Sequence, residues 1–228
     1  MSLKTSNLAF KARVDREVHN EIMRKAVVKA QETIGTNRQK MVDELGHWEE
    51  WRDLSKQIRN HVLANLDAYL YQLSEKVMEN GGKVYFAETA EEATEYIRQV
   101  ALKKNAKKIV KSKSMVTEEI GLNGVLEKEG MQVIETDLGE YLLQISGDKP
   151  SHIVVPAIHK DRHQIRKDLH EKLGYEGAET PEDMTRFVRE KIRQDFLEAD
   201  IGISGCNFAV AETGSVCLVT NEGNLRLA

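Results

Sequence analysis

The chain has 228 residues, 40% of them hydrophobic and 31% charged, and a formal net charge of −4. That length holds one large domain or two small ones, with a densely charged surface. The mild acidity argues against a general nucleic-acid binder, no apolar run approaches the roughly 20 residues of a membrane span, and the opening MSLKTSNLAFKARVDREV holds no apolar secretory core. There are two cysteines, Cys206 and Cys217, too few for a disulfide framework. They are expected as small buried packing residues of a cytoplasmic protein with reduced thiols.

Residues 12–80 read as helix. Val14, Val18, Ile22, Ala26, Ala30 and Ile34 repeat every four residues. From Trp48 through Trp51, Leu54, Ile58, Val62, Leu66, Leu70 and Leu73 to Val77 the steps are three and four. Gly35-Thr36-Asn37 is expected to separate the two stripes and Gly81-Gly82 to end the second. Then the rhythm changes. KVYFAE (83–88) predicts a strand, followed by a helix over 89–103 opened by Thr89 and Glu92 as a capping box. AKKIVKS predicts a strand, 114–130 a helix ended by Gly130, MQVIETD a strand, LGEYLLQIS a short helix and SHIVVPA a β-branched strand. Helices follow at about 161–173 and 181–197, the latter with Pro181 in its first turn. ADIGISG supplies another strand, and residues 205–224 one or two more. Strands alternating with helices predict an α/β fold with a mostly parallel open sheet and helices on both faces, preceded by long N-terminal helices. The expected division is a helical extension over 1–80 and an α/β domain over 81–228.

Ligands in such sheets bind beyond the carboxyl ends of the strands, and three loops there carry unusual residues. In KSKSMVTEE, Lys111, Ser112, Lys113 and Ser114 sit between a strand and a helix N-terminus, a combination suited to a phosphate or carboxylate. The same residues suit a serine-capped helix beside a solvated lysine patch. In ETDLGEYLLQI, Glu135, Asp137 and Glu140 lie close together, with Asp137 placed either in a pocket or as a helix cap. His159 and His163 have i,i+4 spacing, but no third ligand follows at a fixed interval, so no metal is expected. In the third loop Glu212 stands in the apolar and small run AVAETGSVCLV. Around it lie Gly205, Asn207, Thr213, Gly214, Ser215, Asn221, Glu222, Gly223 and Asn224 as candidate pocket residues. A carboxylate there needs hydrogen bonds or a cation. It is a candidate acid, base or nucleophile, or a structural residue that pins a hairpin. No glycine-rich phosphate loop or dinucleotide fingerprint is present.

KSKSM, ETDLGEYLLQ, SHIVVPAIHK and ISGCNFAVAETGSVCLVTNEGN occur in this order, and in that combination the sequence resembles the LUD (lactate-utilisation) domain family over essentially its whole length. The long helical start resembles the family's B-type members more than the shorter C-type. The resemblance implies a sheet like that of the ribose-phosphate isomerase and CoA-transferase folds. It implies a component of an L-lactate-oxidising oxidoreductase complex in bacteria, acting with A- and C-type partners. It implies electron transfer through [4Fe–4S] clusters held by cysteine runs in a C-terminal region. Two cysteines cannot hold such a cluster, so this chain is expected to be the N-terminal portion of a longer protein and to bind no cofactor alone, with a small anion as possible ligand. Two other expectations remain open: a CoA- or sugar-phosphate-type transferase or isomerase using Glu212, and a non-catalytic module whose helices over 12–80 dock partner subunits.

Overall fold

The computed structural model describes residues 7–152, 155–220 and 222–228. Four helices come first: α1 (Asn7–Val18), α2 (Glu21–Leu45), α3 (Trp48–Ala64) and α4 (Leu66–Glu79). After them come α5 (Ala90–Lys103), β1 (Lys108–Lys111), α6 (Met115–Glu119), α7 (Leu122–Lys128), β2 (Gln132–Glu135) and α8 (Leu138–Ser146). The chain continues with α9 (Arg162–Leu173), α10 (Pro181–Glu198), β3 (Ile201–Ile203), β4 (Phe208–Val210) and β5 (Ser215–Cys217). It divides into two compact units. One joins the chain up to Ala26 with Phe86–Gly205 and Leu218–Ala228, and the other joins Val27–Tyr85 with Cys206–Cys217.

The first unit is α/β, as the alternation of patterns predicts. Its three strands are parallel in the order β2-β1-β3. Side chains alternate across the sheet, so Val133 and Ile134 face opposite ways. Val133 packs with Ile109, Ala101, Leu122, Leu126 and Met131 against α5 and α7. Ile134 packs with Tyr141, Leu142, Leu169, Met184, Val188 and Ile192 against α8, α9 and α10. Each face of the sheet thus has its own apolar core. At the amino end of the strands, Asp200 Oδ2 accepts from the backbone N–H groups of Lys107 (2.7 Å) and Lys108 (3.0 Å), which ties the start of β3 to the start of β1.

The second unit contains α3, α4, most of α2 and an antiparallel hairpin, β4 paired with β5. The hairpin turn packs against α4. Gly214 has φ +71°, and a β-carbon there would lie 2.7 Å from the Lys76 carbonyl carbon, so glycine is required twice over. Asn80 Nδ2 also donates to the Thr213 carbonyl at 2.9 Å.

Several expectations are corrected. Gly35 does not break the first helical stripe: α2 runs through Gly35-Thr36-Asn37 to Leu45, because a single glycine costs only about 1 kcal/mol in a long helix. The break falls at Gly46 and His47, both left-handed (φ 61° and 46°). The 114–130 helix is two helices, divided where Gly121 takes φ +66°. KVYFAE forms no strand: it is irregular and exposed, with Phe86 at 62% exposure, because no neighbouring strand offers it a ladder among the described residues. The strand expected at SHIVVPA turns on Ile153 and Val154, which lie outside the described residues. On either side of them, Ser151 N–H donates to the Pro156 carbonyl at 3.0 Å. Cys206 and Cys217 are exposed rather than packed inside, since the hairpin's two strands bury neither.

Candidate functional site

The loops leaving β1 and β2 depart to opposite faces of the sheet, one into α6 and α7, the other into α8. A crevice opens at the carboxyl ends of adjacent strands where successive connections part in this way. Lys111 and Glu135, the last residues of β1 and β2, are paired across the ladder at that point.

Lys111 shares a face with Ile109 two residues earlier, and that face is core. The lysine is accordingly enclosed completely, at 0% exposure. An ammonium there needs every proton engaged. Its Nζ reaches Glu118 Oε1 at 2.8 Å, Glu135 Oε1 at 2.9 Å and Thr117 Oγ1 at 3.1 Å. Burial on its own would lower the Lys111 pKa, but the charges and hydrogen bonds of Glu135 and Glu118 outweigh it and hold the group above its ordinary value. Glu135 is buried too. Burial pushes its carboxyl up against the pull of Lys111 and of Asn123, whose Nδ2 donates to Oε1 at 2.6 Å.

The first turn of α8 completes this end of the sheet. Asp137 is the cap: its Oδ1 accepts from Gly139 N–H (3.1 Å) and Glu140 N–H (3.3 Å). Leu138 N–H donates to Glu222 Oε2 at 3.1 Å, so two carboxylates of the chain itself face the positive end of this helix. Glu140, in the same turn, is pushed up to about 8, first by burial and then by the charges of Glu135 and Asp137, against the pull of Lys111 and Lys113. Burial and like charge thus favour its protonated form.

The structure brings most of the first two predicted clusters together here. Ser112 N–H and Oγ both donate to the Ile203 carbonyl, at 2.9 and 3.3 Å. Ser114 is the cap of α6, with Oγ accepting from Thr117 N–H. Gly205 approaches it closely: a β-carbon there would lie 3.3 Å from Ser114 Oγ. Asn224 Nδ2 donates to Thr136 Oγ1 at 3.3 Å, following a turn in which Gly223 has φ +76°. Lys113 is half-buried in the loop between β1 and α6. His159 bonds Ser151 Oγ at 2.7 Å and approaches Asp148, neither of which contacts Lys111. His163 lies inside α9 against Glu179, and His159 precedes that helix, so the two do not share a helical face.

Gly205 and Glu222–Asn224 of the third cluster thus belong to this unit, while Asn207 and Glu212–Ser215 belong to the other. Glu212 lies exposed in the β4–β5 turn, where water solvates it. Thr213 Oγ1 donates to Ser215 Oγ at 2.9 Å, and Asn207 N–H donates to the Cys217 carbonyl at 3.1 Å. Glu212 edges a groove of about 900 Å³ within that unit, lined by Leu54, Ile58, Leu70 and Val210 among others. Asn221 lies outside the described residues. Sequence reasoning missed Thr117, Glu118, Asn123 and Thr136 as members of the site. The available signal was the period of β1, which turns Lys111 to the same side as Ile109 and so demands a buried carboxylate.

A three-stranded parallel sheet with a buried charged cluster at the carboxyl ends of its strands belongs to the α/β class, in which ligands bind at that end. The LUD domain model matches residues 70–228, and the chain belongs to that family. It is 74% identical over 227 residues to a protein of Escherichia coli (strain K12) called uncharacterized electron transport protein YkgF. It is 60% identical to lactate utilization protein B of Bacillus cytotoxicus and 59% identical to that of Bacillus cereus (strain B4264). Each match covers 100% of this chain and 48% of the relative, so the chain spans about half the length of the curated relatives it matches. No solved structure matches. A [4Fe–4S] cluster does not fit this chain's own donors: it needs four thiolates, and the sequence has Cys206 and Cys217 alone. Among the described residues no helix is long and apolar enough to cross a membrane.

Proposed function

We propose that this chain is the LUD-domain half of a lactate-utilisation protein, working in the cytoplasm in the oxidation of L-lactate to pyruvate. The observation that carries the reading is the match of the entire chain, at 59% identity or more, to relatives named for lactate utilisation and electron transport. In this reading iron–sulfur clusters in the part of the protein outside this chain move the electrons, and the A- and C-type proteins are its partners. The chain's own contribution in this reading is a small-anion site at the carboxyl end of the sheet, where the half-buried Lys113 lies in the loop after β1. A neutral Glu140 suits that role, because an ionised carboxyl in the same place would repel the ligand.

The test is L-lactate-dependent reduction of an artificial acceptor by the full-length protein, prepared anaerobically with its partners and checked for iron and sulfide. Activity is expected in the complete mixture and in neutral Glu140→Gln alike, with the native activity falling above about pH 8 and that of the variant not. A cluster-loaded, correctly assembled mixture that ignores L-lactate ends the proposal. Running Glu212→Gln in the same assay addresses the other reading of the sequence, a transferase or isomerase worked by the hairpin carboxylate.

A further inference from the structure

Helix α3 is apolar on two sides. Leu54, Ile58 and Val62 line the groove shared with α4 and β4. Trp48, Trp51 and Leu63 line a separate, shallow hollow of about 450 Å³, with Arg52, Lys56 and Arg59 among them. Both tryptophans of the chain stand on this second side. Arg38 of α2 lies 5.6 Å from the Trp48 ring centroid, yet Trp51 and Leu63 remain 51% and 66% exposed. Tryptophan and arginine are the side chains that most often anchor protein interfaces. The charges along the helix are also ordered. Residues 48–54 carry Glu49, Glu50 and Asp53 against Arg52 alone, and residues 55–64 carry Lys56 and Arg59 and no carboxylate. Glu49 pairs with Arg52 at 3.0 Å and Glu50 with His47 at 2.9 Å. Among the described residues Asp53, Lys56 and Arg59 have no ion pair. The helix dipole favours such an order only within the first and last turns, and these three residues lie between them.

We propose that this second side of α3 is the contact of a homodimer, with α3 of a second copy packed antiparallel against it across a twofold axis. A twofold interface requires a self-complementary patch, in which each contact occurs twice. Antiparallel pairing sets the acidic start of one α3 beside the basic stretch of the other. Glu49 and Asp53 then face Lys56 and Arg59 of the second copy, and the reverse holds at the other end. Parallel pairing would oppose like charges. An acidic segment of a different protein would match Lys56 and Arg59 but would be repelled by Glu49, Glu50 and Asp53. Antiparallel pairing also lays Trp48 and Trp51 toward Leu63 of the second copy and removes that apolar side from water. A helix of 17 residues is about 25 Å long. The contact is therefore a small one, and the dimer is expected to dissociate in the micromolar range. The proposal holds whether or not the lactate reading does.

Sedimentation equilibrium of this chain over a concentration series from about 1 to 100 µM tests the proposal, with tryptophan emission read on the same samples. The native chain should pass from monomer to dimer, and its emission should shift to the blue as Trp48 and Trp51 leave water. Lys56→Glu with Arg59→Glu should weaken association at least about tenfold, and Glu49→Lys with Asp53→Lys should do the same. Mixed in equal amounts, the two variants should associate as well as the native chain, because every charged contact again joins opposite signs. A native chain that stays monomeric throughout overturns the proposal. So does a dimer that ignores both variants, which places the contact elsewhere. A full-length protein that is monomeric over the same range also overturns it, since the rest of the polypeptide then occupies this side of α3. Circular dichroism checks that each variant keeps its helices, and the native series stands should one of them fail to fold.

Discussion

In the α/β unit a lysine is enclosed completely, together with Leu122 and Leu126 of α7 at 0% exposure. In the helical unit no residue of α3 or α4 is buried, and Trp51, Ile58 and Leu63 are exposed at 51%, 56% and 66%. The apolar period is clear in both places. What differs is whether a second apolar face is provided by the same stretch of chain. A stripe states that a helix requires a neighbour, without identifying one. A charge, conversely, can be interior wherever its partners are fixed on strands and helix starts.

Substitutions can break this contrast, and the largest effect is expected at its centre. Lys111→Met should destabilise the α/β unit by about 3–5 kcal/mol by leaving Glu118 and Glu135 without their cation. Urea unfolding at neutral pH measures it, and a loss below about 1 kcal/mol would mean that the lysine is not enclosed. Leu126→Ala should cost roughly 3 kcal/mol, from lost burial and a cavity against Val133 and Ile109, in the same assay. The pH dependence comes next. Glu140 has a folded pKa of about 8 against an ordinary 4.5, so the folded state retains a proton that the unfolded chain has released. Stability is therefore full below the ordinary value and falls as pH rises to about 8. Glu140→Gln should remove that fall, worth of the order of 1–2 kcal/mol at pH 8 after allowance for solvent screening, and should change little at pH 4. Thermal melts at the two pH values give the comparison. Asp137→Ala should cost about 1 kcal/mol as a lost cap. Ile58→Ala, on the exposed stripe, should stay within about 0.5 kcal/mol of the native protein. A cost near that of Leu126→Ala would show that the stripe is buried in solution.

Much of the α/β unit was legible because its signals are local. Ile109-Val110, Val133-Ile134 and Ile201 mark strands by β-branching. Thr89, Asp137 and Pro181 mark helix starts, and each stands where the sequence places it. The capping box differs in one detail: Glu92 Oε2 accepts from Glu88 N–H at 2.8 Å, one residue before the cap. Less legible was anything set by left-handed backbone. His47 and Gly121 stand before helix starts with a positive φ, which glycine signals far more strongly than histidine. KVYFAE has the composition of a strand, but composition cannot provide a partner. The candidate site was half visible. The lysines, serines and the Asp137–Glu140 turn were found as separate loops. Their union depends on the pairing of Lys111 with Glu135, a long-range register that no local pattern encodes. Glu212 attracted notice because a charge in an apolar run looks buried, and its place in an exposed hairpin turn resolves that differently.

The Asp200 tie at the far end of the sheet fixes a ruler. Counting along β1 from Lys108, the third step reaches Lys111 opposite Glu135 and Ile203. One residue inserted between Lys108 and Lys111 would turn the ammonium to the α10 side of the sheet and bring an aliphatic side chain opposite Glu135. Two inserted residues would restore the side but carry the charge about 7 Å past its carboxylate. The strand therefore tolerates no change of length in this segment, although the ties that impose the limit lie several residues from the charge they position.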